Sequence, residues 1–83
     1  LEHQIVVRMW KGYRDAQVAW MEQDDALFLV MYAPRRGIME VWRMRHGQRE
    51  AMSDVGTDCT LVRGGTCCYL VRPALGQIQK VQF

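Results

Sequence analysis

The chain has 83 residues, 49% hydrophobic and 24% charged, with three Trp, three Tyr and two Phe, a composition that fits a globular fold and excludes intrinsic disorder. A chain this short buries only about 60–65% of its unfolded surface, so it is one small domain or a piece of a larger one. The net charge of +2 does not by itself imply a nucleic-acid partner, and no run reaches the ~18–20 apolar residues of a membrane-spanning helix.

Ile5 to Trp10 is β-branched and aromatic and predicts a strand, followed by turn chemistry at Lys11-Gly12 and Arg14-Asp15. Leu1 stands just ahead of this run with no initiator Met, which predicts a piece of a longer protein. From Ala16 to Met21 the residues alternate as a strand would, although Asp15 could equally cap a helix; strand is favoured. Gln23-Asp24-Asp25 is a polar break. Ala26 to Tyr32 carries no polar side chain before the tyrosine hydroxyl, the pattern of a strand covered on both faces.

Pro34 and Gly37 supply the two φ values a tight turn needs, and the next strand restarts at Ile38 and runs to Met44. There Ile38, Trp42 and Met44 share one face and Met39 and Val41 the other. His46-Gly47-Gln48 predicts another turn, and the polar run Arg49 to Val55 an edge strand, where charge discourages pairing with other chains. Thr60 to Arg63, Thr66 to Arg72 and Gln77 to Phe83, separated by Gly64-Gly65 and Pro73-Ala74-Leu75-Gly76, continue the hairpin pattern. The fold expected is all-β, with antiparallel sheets of a β-propeller type amounting to one or two blades. Its approximate units are 1–25, 26–56 and 57–83.

Catalytic and metal motifs are weak. Cys59, Cys67 and Cys68 are an odd number without the spacing of a disulfide framework, which points to a reducing, intracellular compartment. With His3 and His46 they lack zinc-site spacing, and buried free thiols are expected. Asp24-Asp25 has no phosphate loop to accompany it, and Gly64-Gly65-Thr66 lacks such a loop's lysine. No cofactor is expected. Trp10, Tyr13, Trp20, Tyr32 and Trp42 interleave with Arg8, Lys11, Arg14 and Arg43. That basic aromatic set supports an alternative, a self-contained small β-barrel binding single-stranded nucleic acid, against the plainer reading of core packing with snorkelling arginines.

Met9-Trp10-Lys11-Gly12-Tyr13-Arg14-Asp15-Ala16-Gln17 and Leu29 to Trp42 carry a closer identification. Within the second stretch the distinctive residues are Tyr32-Ala33-Pro34-Arg35-Arg36-Gly37-Ile38 and Glu40-Val41-Trp42. Over its first two-thirds the chain resembles the amino-terminal region of the non-catalytic, regulatory subunit of the Rab GTPase-activating protein complex. Beyond Gly56 the match thins to Cys59-Thr60-Leu61, Cys68-Tyr69-Leu70-Val71, Gly76 and Val81-Gln82-Phe83. The resemblance implies a propeller-like domain in a large subunit that pairs with a separate catalytic subunit, in a complex that activates GTP hydrolysis on one Rab and promotes exchange on another. The same resemblance places the arginine finger in the partner subunit, and the protein in the cytoplasm, peripheral at the endoplasmic reticulum or vesicles. The expected partners are thus the catalytic subunit and a Rab small GTPase, with neither nucleic acid nor an integral membrane segment.

Arg35-Arg36 admits three readings: a solvated hairpin tip, a fork for a partner's carboxylate, or an arginine finger. Arg35, Arg36, Lys11 and Arg14 are the candidate partner-binding residues, and no catalytic or metal residue is assigned.

Overall fold

The computed structural model describes residues 10–81. The strand expected from Ile5 therefore lies outside the described residues except for Trp10, and His3 and Arg8 lie outside them too. The described residues form seven strands: β1 (Arg14–Met21), β2 (Ala26–Ala33), β3 (Ile38–Arg45), β4 (Gln48–Asp54), β5 (Thr60–Gly64), β6 (Cys67–Arg72) and β7 (Gln77–Lys80). They build two antiparallel sheets, β1-β2-β3-β4 and β5-β6-β7. The fold is all-β, and among the described residues there is no α-helix and hence none long enough to cross a membrane. The four-stranded sheet draws on the units 1–25 and 26–56, and the three-stranded sheet lies within 57–83.

The turns fall where the sequence punctuates the chain. Ala33 accepts hydrogen bonds from the backbone N–H of Arg36 at 3.0 Å and of Gly37 at 2.9 Å. Gly37 has φ 68°, a left-handed conformation that glycine adopts without strain. One connector occurs twice: a three-residue 3₁₀ turn, Glu22–Asp24 or Pro73–Leu75, closed by a left-handed residue, Asp25 at φ 48° or Gly76 at φ 62°. Residues 16–21, read as strand over helix, are strand.

β2 lies at the centre, with every residue buried except Tyr32. One face of the larger sheet, carrying Ala19, Phe28, Val30, Met39 and Val41, packs against Cys59, Cys68 and Leu70 of the smaller sheet and its approach. The opposite face carries Leu27, Leu29 and Met31 and is covered by Trp10, with Tyr13, Trp42 and Met44 around it. Both faces are apolar because both are covered, which is why β2 shows no alternation. β4 is one edge of the larger sheet, and it is mostly exposed.

Where β1 meets the smaller sheet, the Gln17 side chain takes the place of a neighbouring strand. Its Nε2 donates to the Cys59 carbonyl at 2.9 Å, and its Oε1 accepts from the Leu61 backbone N–H at 2.8 Å. A glutamine amide reproduces the donor and acceptor of a peptide group, so it closes part of the β5 edge that strand pairing leaves open. Gln17→Ala is expected to cost about 1–3 kcal/mol by stranding both backbone groups. Denaturant unfolding checks this, with an unchanged midpoint counting against it.

Candidate functional site

The β2–β3 turn places the paired arginines at one end of the larger sheet, and their side chains part company there. Arg35 is exposed and makes no hydrogen bond or ion pair among the described residues. Arg36 folds back onto the sheet. Its Nη1 and Nη2 grip Asp54 at 3.0 and 2.7 Å, a two-pronged fork, and Nη1 also reaches Glu40 Oε2 at 2.6 Å. The register explains the convergence, since Glu40 on β3 lies directly opposite Asp54 on β4. Arg36 does meet carboxylates, and they belong to its own chain.

Glu40 is the centre of this network. It is 6% exposed and shares its sheet face with Trp42. Its Oε1 accepts from the Tyr13 hydroxyl at 2.6 Å and from Trp42 Nε1 at 2.8 Å, while Oε2 takes Arg36. Burial alone would push the carboxyl upward, but the hydrogen bonds of Tyr13, Trp42 and Arg36 with the Arg36 charge outweigh it and hold Glu40 below its ordinary 4.5. Hydrogen bonding from Arg36 holds Asp54 below its ordinary 3.8, and those carboxylates raise Arg36 further. Burial, and then the Glu40 carboxylate, raise Tyr13 above 10.0. Chemically, this is a set of mutually satisfied charges that ties the turn, β4 and the segment before β1 together.

Aromatic rings surround it. Trp10 meets Trp42 edge to face at 4.8 Å between centroids and Tyr13 at 5.8 Å, and the Arg49 guanidinium covers the Trp10 ring at 4.5 Å. Trp10 is buried and Trp42 half-buried, so these two rings pack into the molecule; Trp20 is more open, at 42% exposed. Lys11 is exposed on the turn before β1. Arg14 pairs across to Tyr32, lies 4.9 Å above its ring, and sits 3.5 Å from Asp15. Arg14, Arg35 and Arg36 thus belong to the end of the sheet that carries the β2–β3 turn.

The cysteines are free thiols, Cys59 and Cys68 buried and Cys67 half-buried. Burial pushes the Cys59 and Cys68 thiols up, away from the reactive thiolate. Among the described residues no cluster of three His, Cys, Asp or Glu is placed to hold a metal ion.

Sequence reasoning gave Glu40, Asp54 and Gln17 no role, and read Tyr13 only as a stacking or packing ring. The signal for Glu40 was present: it shares the alternation of Ile38, Trp42 and Met44, so an inward-facing acid required donors. Gln17 had no such signal, because its partners are backbone groups 42 and 44 residues away.

Comparison with known proteins adds the context of this site. Residues 1–62 match the family described as Rab3 GTPase-activating protein regulatory subunit N-terminus. The Rab3 GTPase-activating protein regulatory subunit of Caenorhabditis elegans is 42% identical over 65 residues, covering 72% of this chain and 5% of that protein. The chain thus spans a small fraction of that relative's length. No solved structure matches it significantly.

Proposed function

The chain belongs to the family of Rab3 GTPase-activating protein regulatory subunits, whose amino-terminal region it matches, and from that membership we propose that it is a scaffold module of a Rab-regulating complex. It holds the separate catalytic subunit, and through it the Rab, by loops displayed at the end of a rigid sheet. The complex stimulates GTP hydrolysis on a Rab and promotes nucleotide exchange on another, and this module performs no chemistry itself. It forms one or two blades of a larger propeller, in the cytoplasm and peripheral to the endoplasmic reticulum or vesicles.

The observation that supports display over catalysis is the state of Arg36. An arginine finger must deliver its guanidinium to a transferring phosphoryl group, whereas this one is held by Glu40 and Asp54. Single-turnover GTP hydrolysis by the reconstituted complex, with the intact regulatory subunit carrying Arg36→Lys, tests the assignment. A change under about 10-fold is expected; loss of ~10³ or more, the scale of a missing finger, would reverse it.

A further inference from the structure

Resting on that interaction role, we propose that the β2–β3 tip divides its arginines between two tasks: Arg36 positions the turn, and Arg35 receives a carboxylate-bearing segment of a protein partner. Arg36 is committed, with both nitrogens of its fork on Asp54 and one of them also on Glu40. Arg35, its immediate neighbour, is committed to nothing among the described residues. The turn that carries them is fixed by two backbone hydrogen bonds to Ala33, and its base is fixed by the Arg36 fork. A side chain presented from so restrained a turn loses less freedom on binding than one on a mobile loop.

The charges around the tip choose the partner's chemistry. Arg14 shares a hollow with Asp15 and Asp58, and Asp54 lies beside Arg36. This end of the sheet is therefore mixed in sign. A continuous polyanion, such as nucleic acid or an anionic membrane, would meet those carboxylates as well as the cations. A protein segment bearing one or two carboxylates meets Arg35 alone and can place its own cations against Asp15 and Asp58. A guanidinium gives such a segment a planar, bidentate mate.

The intact regulatory subunit, with the catalytic subunit as probe, provides the test. Arg35→Glu is expected to weaken binding about 10-fold or more, chiefly by slowing association and flattening its salt dependence, without shifting the melting temperature. Arg36→Ala is expected to lower the melting temperature. In that background, well below the melt, Arg35→Glu should change affinity less than about 2-fold, because an unfixed tip no longer presents Arg35; that readout does not move if Arg36 is merely structural. Wild-type affinity in Arg35→Glu overturns the inference and leaves the scaffold role standing, whereas wild-type protein that fails to bind the catalytic subunit overturns both. Loss of binding to anionic vesicles or oligonucleotides in Arg35→Glu, with the catalytic subunit still bound, would replace the acidic protein segment with a polyanion.

Discussion

Glu40→Ala is expected to destabilise the fold by about 2–4 kcal/mol, since each polar group left without its partner in the interior costs about 1–3 kcal/mol. The loss exceeds that of one ion pair because two inward-facing donors, the Tyr13 hydroxyl and Trp42 Nε1, lose their acceptor together, while Arg36 keeps Asp54. Glu40→Gln should cost less, since its carbonyl oxygen can still accept from Tyr13 and Trp42 while its amide faces Arg36 badly. Denaturant unfolding of both variants measures the difference. The pH dependence follows from the same groups. Glu40 and Asp54 titrate below their ordinary 4.5 and 3.8 when folded, so their contribution is complete above those values and is lost as the pH falls through the lowered ones. Tyr13 has the opposite sign: raised above 10.0, it contributes below that value and loses its contribution as the pH rises through the raised one. The buried thiols Cys59 and Cys68, raised above 9.0, have the same sign as Tyr13, so on these groups melting temperature should be flat from 4.5 to about 9.0 and fall on both sides, with the acid limb shallower in Glu40→Ala. An acid limb of unchanged steepness would show that Glu40 is not the group being titrated.

Phe28→Ala is the second large effect, at about 3–5 kcal/mol for an aromatic ring truncated in a closed interior. Phe28 is 1% exposed and packs with Ala19, Met21 and Cys68, so the vacated space lies between the two sheets. For a domain of this size that corresponds to a fall in melting temperature of roughly 12 °C or more. Since small domains have only ~5–15 kcal/mol in hand, the variant approaches unfolding. Ile78→Ala provides the contrast, because Ile78 is 73% exposed on β7 and its truncation should stay within about 0.5 kcal/mol. A Phe28→Ala melt as mild as that of Ile78→Ala would mean that the two sheets do not close over one another.

The contrast between those two residues shows what the sequence discloses and what it withholds. Strands and turns were legible because local rules govern them: Pro34 and Gly37 set the φ values of one turn, His46 and Gly47 those of another, and the apolar run through β2 announced cover on both faces. Even the separation of Trp42 from Val41 followed from alternation alone. The candidate site was less legible because its chemistry is assembled across strands. Arg36 invited a reading from its position at a hairpin tip, yet its role depends on Asp54, 18 residues on, brought alongside by the β3–β4 register. Tyr13 reaches Glu40 across 27 residues. Such pairings depend on how strands lie together, and no spacing motif encodes them. Arg35 was the opposite case, since exposure at a tip is a local property.

Gln17 gives the smaller sheet a built-in reporter. Backbone amides on the outer side of an edge strand ordinarily exchange their hydrogens with solvent quickly, but the Leu61 N–H is capped by the Gln17 side chain. Its exchange should therefore follow the parting of the two sheets and not the fraying of β5, at a rate set by the free energy of that local opening. Deuterium uptake at Leu61 thus gives a clock for how often the smaller sheet lifts from β1.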